Sequence, residues 1–134
     1  MHHEPVVHVY ASGRQLVIVP VVTDAHGDLV EIDAVQTVPI TLGRPTVVRL
    51  SRALSAAREA SNQRTAGQPR WDGERGRWWA HHLLGLTIRW EKDQIALTEL
   101  HQDDAEPAIL PADTTDIALA ERLIELLGQK LHAT

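Results

Sequence analysis

Residues 86–100 read LTIRWEKDQIALTEL, two runs of alternating side chains joined by the polar residues 91–93. Leu86, Ile88 and Trp90 share one face of the first run, because successive side chains of a strand point to opposite faces. In the second run, Ile95 and Leu97 alternate with residues 96, 98 and 100 (Ala, Thr and Leu), so we expect this strand to be covered on both faces. The stretch therefore predicts a β-hairpin that belongs to an antiparallel sheet with at least one buried face.

The apolar pattern of the second half recurs 70 residues earlier in the chain, and we call this internal repeat the echo. The matched pairs are Leu16/Leu86, Ile18/Ile88, Ile40/Leu110, Val47/Ile117, Ala53/Leu123, Leu54/Ile124 and Ala57/Leu127. Each half reads as extended segments followed by one amphipathic helix, which indicates a repeated supersecondary unit. Two copies are too few for a solenoid, so we expect both units to share one core.

The echo and the strand periodicity predict one α+β domain over residues 1–134. Its expected architecture is a mostly antiparallel sheet of about five or six strands with two packed helices. The halves are residues 1–66 and 78–134, joined by a loop at residues 67–77. Neither half has enough apolar surface to fold alone, so this loop does not separate two domains.

Two prolines help to assign the strands and the helix of the first half. Residues 16–22 are apolar on both faces and predict a central strand, in which Pro20 should cause a bulge or end the pairing. Residues 29–40 alternate less regularly and predict an edge or bent strand. Pro45 suits the first turn of a helix that is expected to run to about residue 60.

The last helix has the clearest local signals in the chain. Asp113 is expected to cap its N-terminus, and Asp116 lies near the positive end of the helix dipole. Gly128 is expected to end the helix. The apolar stripe consists of Ile117, Ala120, Leu123, Ile124 and Leu127.

The composition disfavours several classes of protein. With 13 Lys and Arg against 18 Asp and Glu, the formal net charge is −5, whereas nucleic-acid binding needs clustered positive charge. No apolar stretch reaches the ~20 residues that span a bilayer, and the N-terminus lacks a signal-peptide pattern. We expect a cytoplasmic protein that binds neither nucleic acid nor membranes. The absence of cysteine removes thiolate chemistry.

Three histidines, His81, His82 and His101, are the candidates for catalysis or metal binding. On a strand the adjacent pair would point to opposite faces and could not easily serve one metal ion. The sequence also lacks zinc-site spacings and a phosphate-binding glycine loop. We therefore expect no catalytic residues, no metal and no cofactor. A small enzyme or ligand-binding domain that uses these histidines stays open as an alternative.

Four tryptophans lie within twenty residues of each other, in a chain without phenylalanine. Tryptophan and arginine are typical of the residues that dominate protein interfaces. The alternative is that tryptophans fill the core, an interpretation that we favour for Trp90. The residues of this segment expected to contact a partner are Trp71, Asp72, Glu74 and Trp79.

Two acidic groups are further candidates for binding a basic partner. The first group is Asp24, Asp28 and Glu31, and the second is Asp103, Asp104 and Glu106. The second group lacks the alternate carboxylates around a glycine that calcium loops use. Each group is either a solvated loop or part of a protein-binding surface.

The order of elements in the second half resembles a known family. Residues 86–97, residues 108–117 and a helix through Leu127 are similar to the end of some immunity proteins of bacterial contact-dependent growth inhibition (CdiI-type). In those proteins a strand, a tight turn, a second strand, a leucine–proline pair and a capped helix follow an earlier strand–helix half. The likeness covers mainly residues 78–127, with residues 38–57 as the first-half counterpart.

The resemblance implies a cytoplasmic, non-enzymatic protein that binds one toxin domain, often a nuclease, and blocks its active site. The toxin would be basic, and acidic side chains of this chain would lie against its substrate groove. A structural adaptor that dimerises through a strand edge is the remaining alternative. The sequence leaves the oligomeric state open.

Overall fold

A computed structural model of the chain describes residues 5–23, 29–31, 36–41, 43–63, 84–99 and 106–132. The strands are β1 (Val6–Ser12), β2 (Gln15–Thr23), β3 (Leu29–Glu31), β4 (Gln36–Pro39), β5 (Leu84–Trp90), β6 (Gln94–Glu99) and β7 (Ala108–Pro111). The helices are α1 (Arg44–Gln63) and α2 (Asp116–His132).

The strands form one antiparallel sheet with the order β3–β2–β1–β5–β6–β7. β4 pairs with the same edge of β2 as β3 does, β3 with residues 21–23 and β4 with residues 15–18. The sheet is therefore six strands wide although seven strands contribute to it. This arrangement confirms the predicted α+β class, with one helix supplied by each half.

Pro20 lies inside β2 and affects the two edges of that strand differently. Pairing with β1 continues through it in register, because Pro20 lies opposite Val7. On the other edge, the described pairs leave residues 19–20 unpaired between β4 and β3. The expected bulge is absent from the β1–β2 register, and pairing ends on one edge only, where a missing N–H costs little.

Both helices pack on one face of the sheet. The larger residues of this core are Val7, Val9, Leu16, Ile18, Val38, Leu50, Leu54, Leu86, Ile88, Ile95, Leu97, Leu119, Leu123 and Leu127. The echo pairs Leu16/Leu86 and Ile18/Ile88 all belong to it, so the repeated pattern marks the helix-facing layer. Trp90 is partly buried against the same core, as favoured from the sequence.

The opposite face of β1 and β2 is also buried. Its residues are Val6, His8, Tyr10, Val17, Val19 and Val21. Strands that are apolar on both faces belong in the middle of a sheet, and β1 and β2 have a neighbour on each edge.

The two hairpin turns agree with their sequence signals. Gly13 has a φ of 60°, and Arg14 does not have a positive φ, which is the pattern of a type II′ turn between β1 and β2. In the β5–β6 turn, the backbone N–H of Glu91 donates to the carbonyl oxygen of Gln94 at 2.8 Å.

The start of α2 differs from the prediction. The backbone N–H of Ala118 donates to Thr115 Oγ1 at 3.2 Å, so Thr115 caps the helix. Asp113 lies exposed in the preceding turn, and the expectation that it is the cap is wrong. Ile117 is 42% exposed, whereas Leu119 is fully buried, so the buried stripe begins two positions later than the spacing predicts.

The end of α2 also differs from the prediction. The helix continues through Gly128 to His132. Glycine ends a helix when it adopts a left-handed φ, and in the described chain only Gly13 and Gly43 have positive φ values. Gly128 is therefore an ordinary helical residue.

Candidate protein-binding surfaces

An open groove of about 250 Å³ lies between the first turn of α1 and the first two turns of α2. Arg44, Val47 and Val48 line it from α1, and Ile117 and Glu121 line it from α2. The groove has apolar residues on both walls, a guanidinium group on one side and a carboxylate on the other. The groove therefore offers apolar side chains and one charge of each sign to a contact.

The groove exists because the two helices run in opposite directions where they touch. Ser55 and Arg58, in the middle of α1, contact Asp116 at the start of α2. Arg44, at the start of α1, shares the groove with Glu121 further along α2. The first turn of α1 therefore lies beside the second turn of α2.

Asp116, in the first turn of α2, connects this helix to the middle of α1. The Ser55 hydroxyl donates a hydrogen bond to Asp116 Oδ2, and Arg58 Nη1 lies 3.4 Å from Asp116 Oδ1. The guanidinium carbon of Arg58 also lies 5.5 Å from the centre of the Trp90 ring. Trp90 Nε1 is buried without a hydrogen-bond partner in the described part of the chain. This group of residues holds the helices to β5.

His8 is a buried polar residue on the sheet face away from the helices. Its Nδ1 lies 2.8 Å from Thr87 Oγ1 of the neighbouring strand. Burial lowers the pKa of His8 to about 4, and the positive charge of Arg89 contributes to the decrease. His8 is therefore neutral at pH 7 and packs as a core residue.

Tyr10 lies two residues further along the same face of β1. Its ring centre is 6.0 Å from that of His8, and burial raises the pKa of the Tyr10 hydroxyl. Sequence reasoning did not single out either residue. The available signal was their position in the continuous β-branched run at residues 6–10, where every residue is buried.

The negative charge of the chain is concentrated in its second half. Residues 84–134 carry ten Asp and Glu against four Lys and Arg, whereas residues 1–63 carry six against five. Gln94 pairs with Pro111, so the acidic turns that hold Asp93 and Asp113 lie at the same end of the β6–β7 pair. Glu106 precedes β7 and is exposed at the other end.

Most of the predicted site residues lie outside the described residues. They are Asp24, Asp28, Trp71, Asp72, Glu74, Trp79, His81, His82, His101, Asp103 and Asp104. The two members that are described lie at opposite edges of the sheet, Glu31 in β3 and Glu106 just before β7. Five strand spacings, about 24 Å, separate those edges, so Glu31 and Glu106 lie far apart.

In the ranges that the structure describes, no three His, Asp or Glu residues come together in a group that could hold a metal ion. Neither α1 nor α2 is long and apolar enough to cross a membrane.

Comparisons with known proteins establish the fold alone. No protein-family model and no curated protein sequence matches the chain. A solved structure that does match is described as "Protein of Unknown Function NMB0488 from Neisseria meningitidis". The two chains are 14% identical, with a TM-score of 0.60, and the match covers 92% of this chain and 94% of that one. A whole-chain match of this kind supports a shared α+β architecture.

Proposed function

We propose that this chain is a cytoplasmic immunity protein that binds one basic toxin domain and blocks its active site. The observation that carries the proposal is the acidic second half, with ten carboxylates against four basic residues over residues 84–134, most of which belong to the segment that resembles the immunity family. A nuclease needs a basic groove to hold phosphates, and an acidic surface is complementary to that groove.

The proposed contact surface is the edge of the sheet near β7. Glu106 is exposed there. Asp103 and Asp104, which precede Glu106 in the sequence, are proposed to contact the toxin together with it. Trp71 and Trp79 are the proposed apolar anchors, with Asp72 and Glu74 beside them in sequence. The other acidic group, Asp24, Asp28 and Glu31, is the alternative contact. Its described member, Glu31, lies in β3 at the opposite edge.

The direct test is neutralisation of a toxin encoded beside this gene. We expect the chain to form a one-to-one complex with the toxin domain, to abolish its activity in the test tube and to rescue cells that produce it. A genome neighbourhood without a toxin gene, together with failure to rescue any cell from such toxins, would overturn the proposal.

A matched pair of charge reversals tests which acidic residues contact the toxin. We expect Glu106→Lys to weaken the complex about tenfold or more, which corresponds to ~1.4 kcal/mol. Asp93→Lys makes the same charge change at the other end of the β6–β7 pair, and we expect little effect from it. Equal losses for the two variants would indicate a response to net charge rather than a contact at Glu106.

The tryptophan anchors are tested on Trp71. If Trp71 lies in the interface, Trp71→Ala should weaken the complex by about 2 kcal/mol or more and leave stability nearly unchanged. A core tryptophan would instead cost on the order of 3 kcal/mol of folding stability. The urea midpoint and the toxin affinity of this one variant distinguish the two outcomes.

A further inference from the structure

We propose that the groove between α1 and α2 is the interface of a homodimer, with a second copy of this chain as its occupant. In this dimer the α1 wall of one copy contacts the α2 wall of the other, and the reverse contact forms at the same time. This property goes beyond toxin binding and needs no toxin to be measured.

The first supporting observation is the apolar surface of the groove. Ile117 is 42% exposed, and in the described part of the chain only Ile109 is a more exposed large hydrophobic residue. Val47 and Val48 are half-buried on the facing wall. Covering these side chains would remove apolar surface from water, which is the main favourable term in association.

The second observation is the charge of the two walls. Residues four positions apart share one row on a helix, so Arg44, Val48 and Arg52 form a row on α1. The corresponding row on α2 consists of Ile117, Glu121 and Glu125, of which Glu125 also accepts a hydrogen bond from Arg122 at 2.9 Å. One wall is therefore basic and apolar, and the other is acidic and apolar.

Opposite charges on two walls of one groove make the surface complementary to itself. In a two-fold dimer, a contact between residue i and the partner's residue j is always accompanied by the contact between j and the partner's i. A pairing of Arg44 with the partner subunit's Glu121 thus forms twice, with the apolar residues near the axis. This self-complementarity is the reason that we assign the groove to a second copy rather than to an unrelated protein.

The first experiment measures the molar mass of the purified chain by sedimentation over a wide range of concentration. We expect a reversible twofold increase in mass at high concentration. A mass that stays at the monomer value over the whole range would overturn the proposal.

Single charge reversals then test the interface. Arg44→Glu puts a carboxylate at both positions of the 44/121 pair, and Glu121→Arg puts a guanidinium group at both, so each variant alone should dimerise at least about tenfold more weakly. Both residues are exposed, and a carboxylate in the first turn of α1 is favourable for the helix, so both variants should fold. Circular dichroism checks this.

The decisive experiment mixes the two variants. In the mixture, the carboxylates at positions 44 and 121 of one variant meet guanidinium groups at positions 121 and 44 of the other, so an equimolar mixture should form a heterodimer at concentrations where each variant alone is a monomer. Arg49→Glu is the control, because Arg49 is exposed on α1 but does not line the groove. Dimerisation that is unaffected by either groove variant, or a mixture that stays monomeric, would overturn the proposal.

Discussion

The two halves of this chain place equivalent apolar residues in the same layer but connect their strands differently. In the second half, β5, β6 and β7 form a simple meander, and each strand has its own place in the sheet. In the first half, the short strands β3 and β4 share one edge of β2. The strand before each helix therefore pairs with β2 in one half and with β6 in the other.

This difference shows that the echo conserves a buried layer rather than a strand order. Leu16 and Ile18 face the helices as Leu86 and Ile88 do, because both pairs have the two-residue period of a strand. A helix-facing layer needs only the correct period and side-chain size. The pairing partner of each strand depends on strand length and on the connections, which the apolar pattern does not encode.

The largest expected effect comes from an echo pair in the helices. Leu54 is fully buried, whereas Ile124 is only half-buried against the core. We expect Leu54→Ala to lower the free energy of unfolding by about 3 kcal/mol, and Ile124→Ala by about 1 kcal/mol. Urea denaturation of both variants measures the difference. Equal losses would mean that the halves are closer equivalents than their burial indicates.

The next effect is the pH dependence of stability that arises from His8 in β1. This strand lies in the first half and has no counterpart in the β5–β6–β7 meander of the second half. The pKa of His8 is about 4 in the folded chain, against the ordinary histidine value of 6.5 when the chain is unfolded. Between these values the unfolded state binds a proton that the folded state does not, so stability falls as the pH decreases. The expected loss is about 3 kcal/mol between pH 7 and pH 4.

A variant separates the contribution of His8 to the pH dependence of stability from the contribution of the Asp and Glu side chains. Urea midpoints across this pH range should decrease less steeply in His8→Asn, which does not titrate and offers Thr87 a polar atom. Identical pH slopes for the two proteins would show that His8 is protonated or accessible in the folded state.

A smaller effect is expected at the start of α2, where two residues compete for the role of cap. Thr115→Ala should cost about 1 kcal/mol, because the backbone N–H of Ala118 loses its acceptor. Asp113→Ala should change the stability by a few tenths of a kcal/mol at most, since Asp113 is exposed in the turn. Thermal or urea unfolding of the pair checks the assignment, and the reverse order would restore Asp113 as the cap.

The smallest effect is a gain in stability near the end of α2. Gly128 has a helical backbone, and a β-carbon added there would meet no heavy atom within 4 Å. Gly128→Ala should therefore raise the free energy of unfolding by about 0.5 to 1 kcal/mol. A lower urea midpoint would contradict the helical assignment of this residue.

The fold was predictable from the sequence because its main signals are local and periodic. The hairpin at residues 86–99, the helix at Pro45 and the helix-facing residues of β2 and β5 each follow from spacing. The cap and the end of α2 were harder to predict. Asp113 and Thr115 both have capping side chains, and the geometry of the preceding turn decides between them.

The candidate surfaces were less predictable. The groove requires the antiparallel contact of α1 with α2, which brings Arg44 to Glu121 across 77 positions of sequence. Ile117 was assigned to the core because its spacing fits the stripe, but in the structure it is 42% exposed and lines the groove beside the first turn of α1. The helical period gives the face of a helix, but it does not give the width of the neighbouring element that covers the face.

The position of β1 between β2 and β5 has a consequence for synthesis of the chain. One edge of β1 pairs with the strand that follows it directly, while the other edge pairs with β5, and His8 bonds to a residue 79 positions away. As the chain emerges from the ribosome, this second edge stays open until β5 has been made. An open edge can pair with another nascent chain, and pairing over such a separation folds slowly. The N-terminal half should therefore need chaperone protection during translation more than the C-terminal half, which finds β1 already formed.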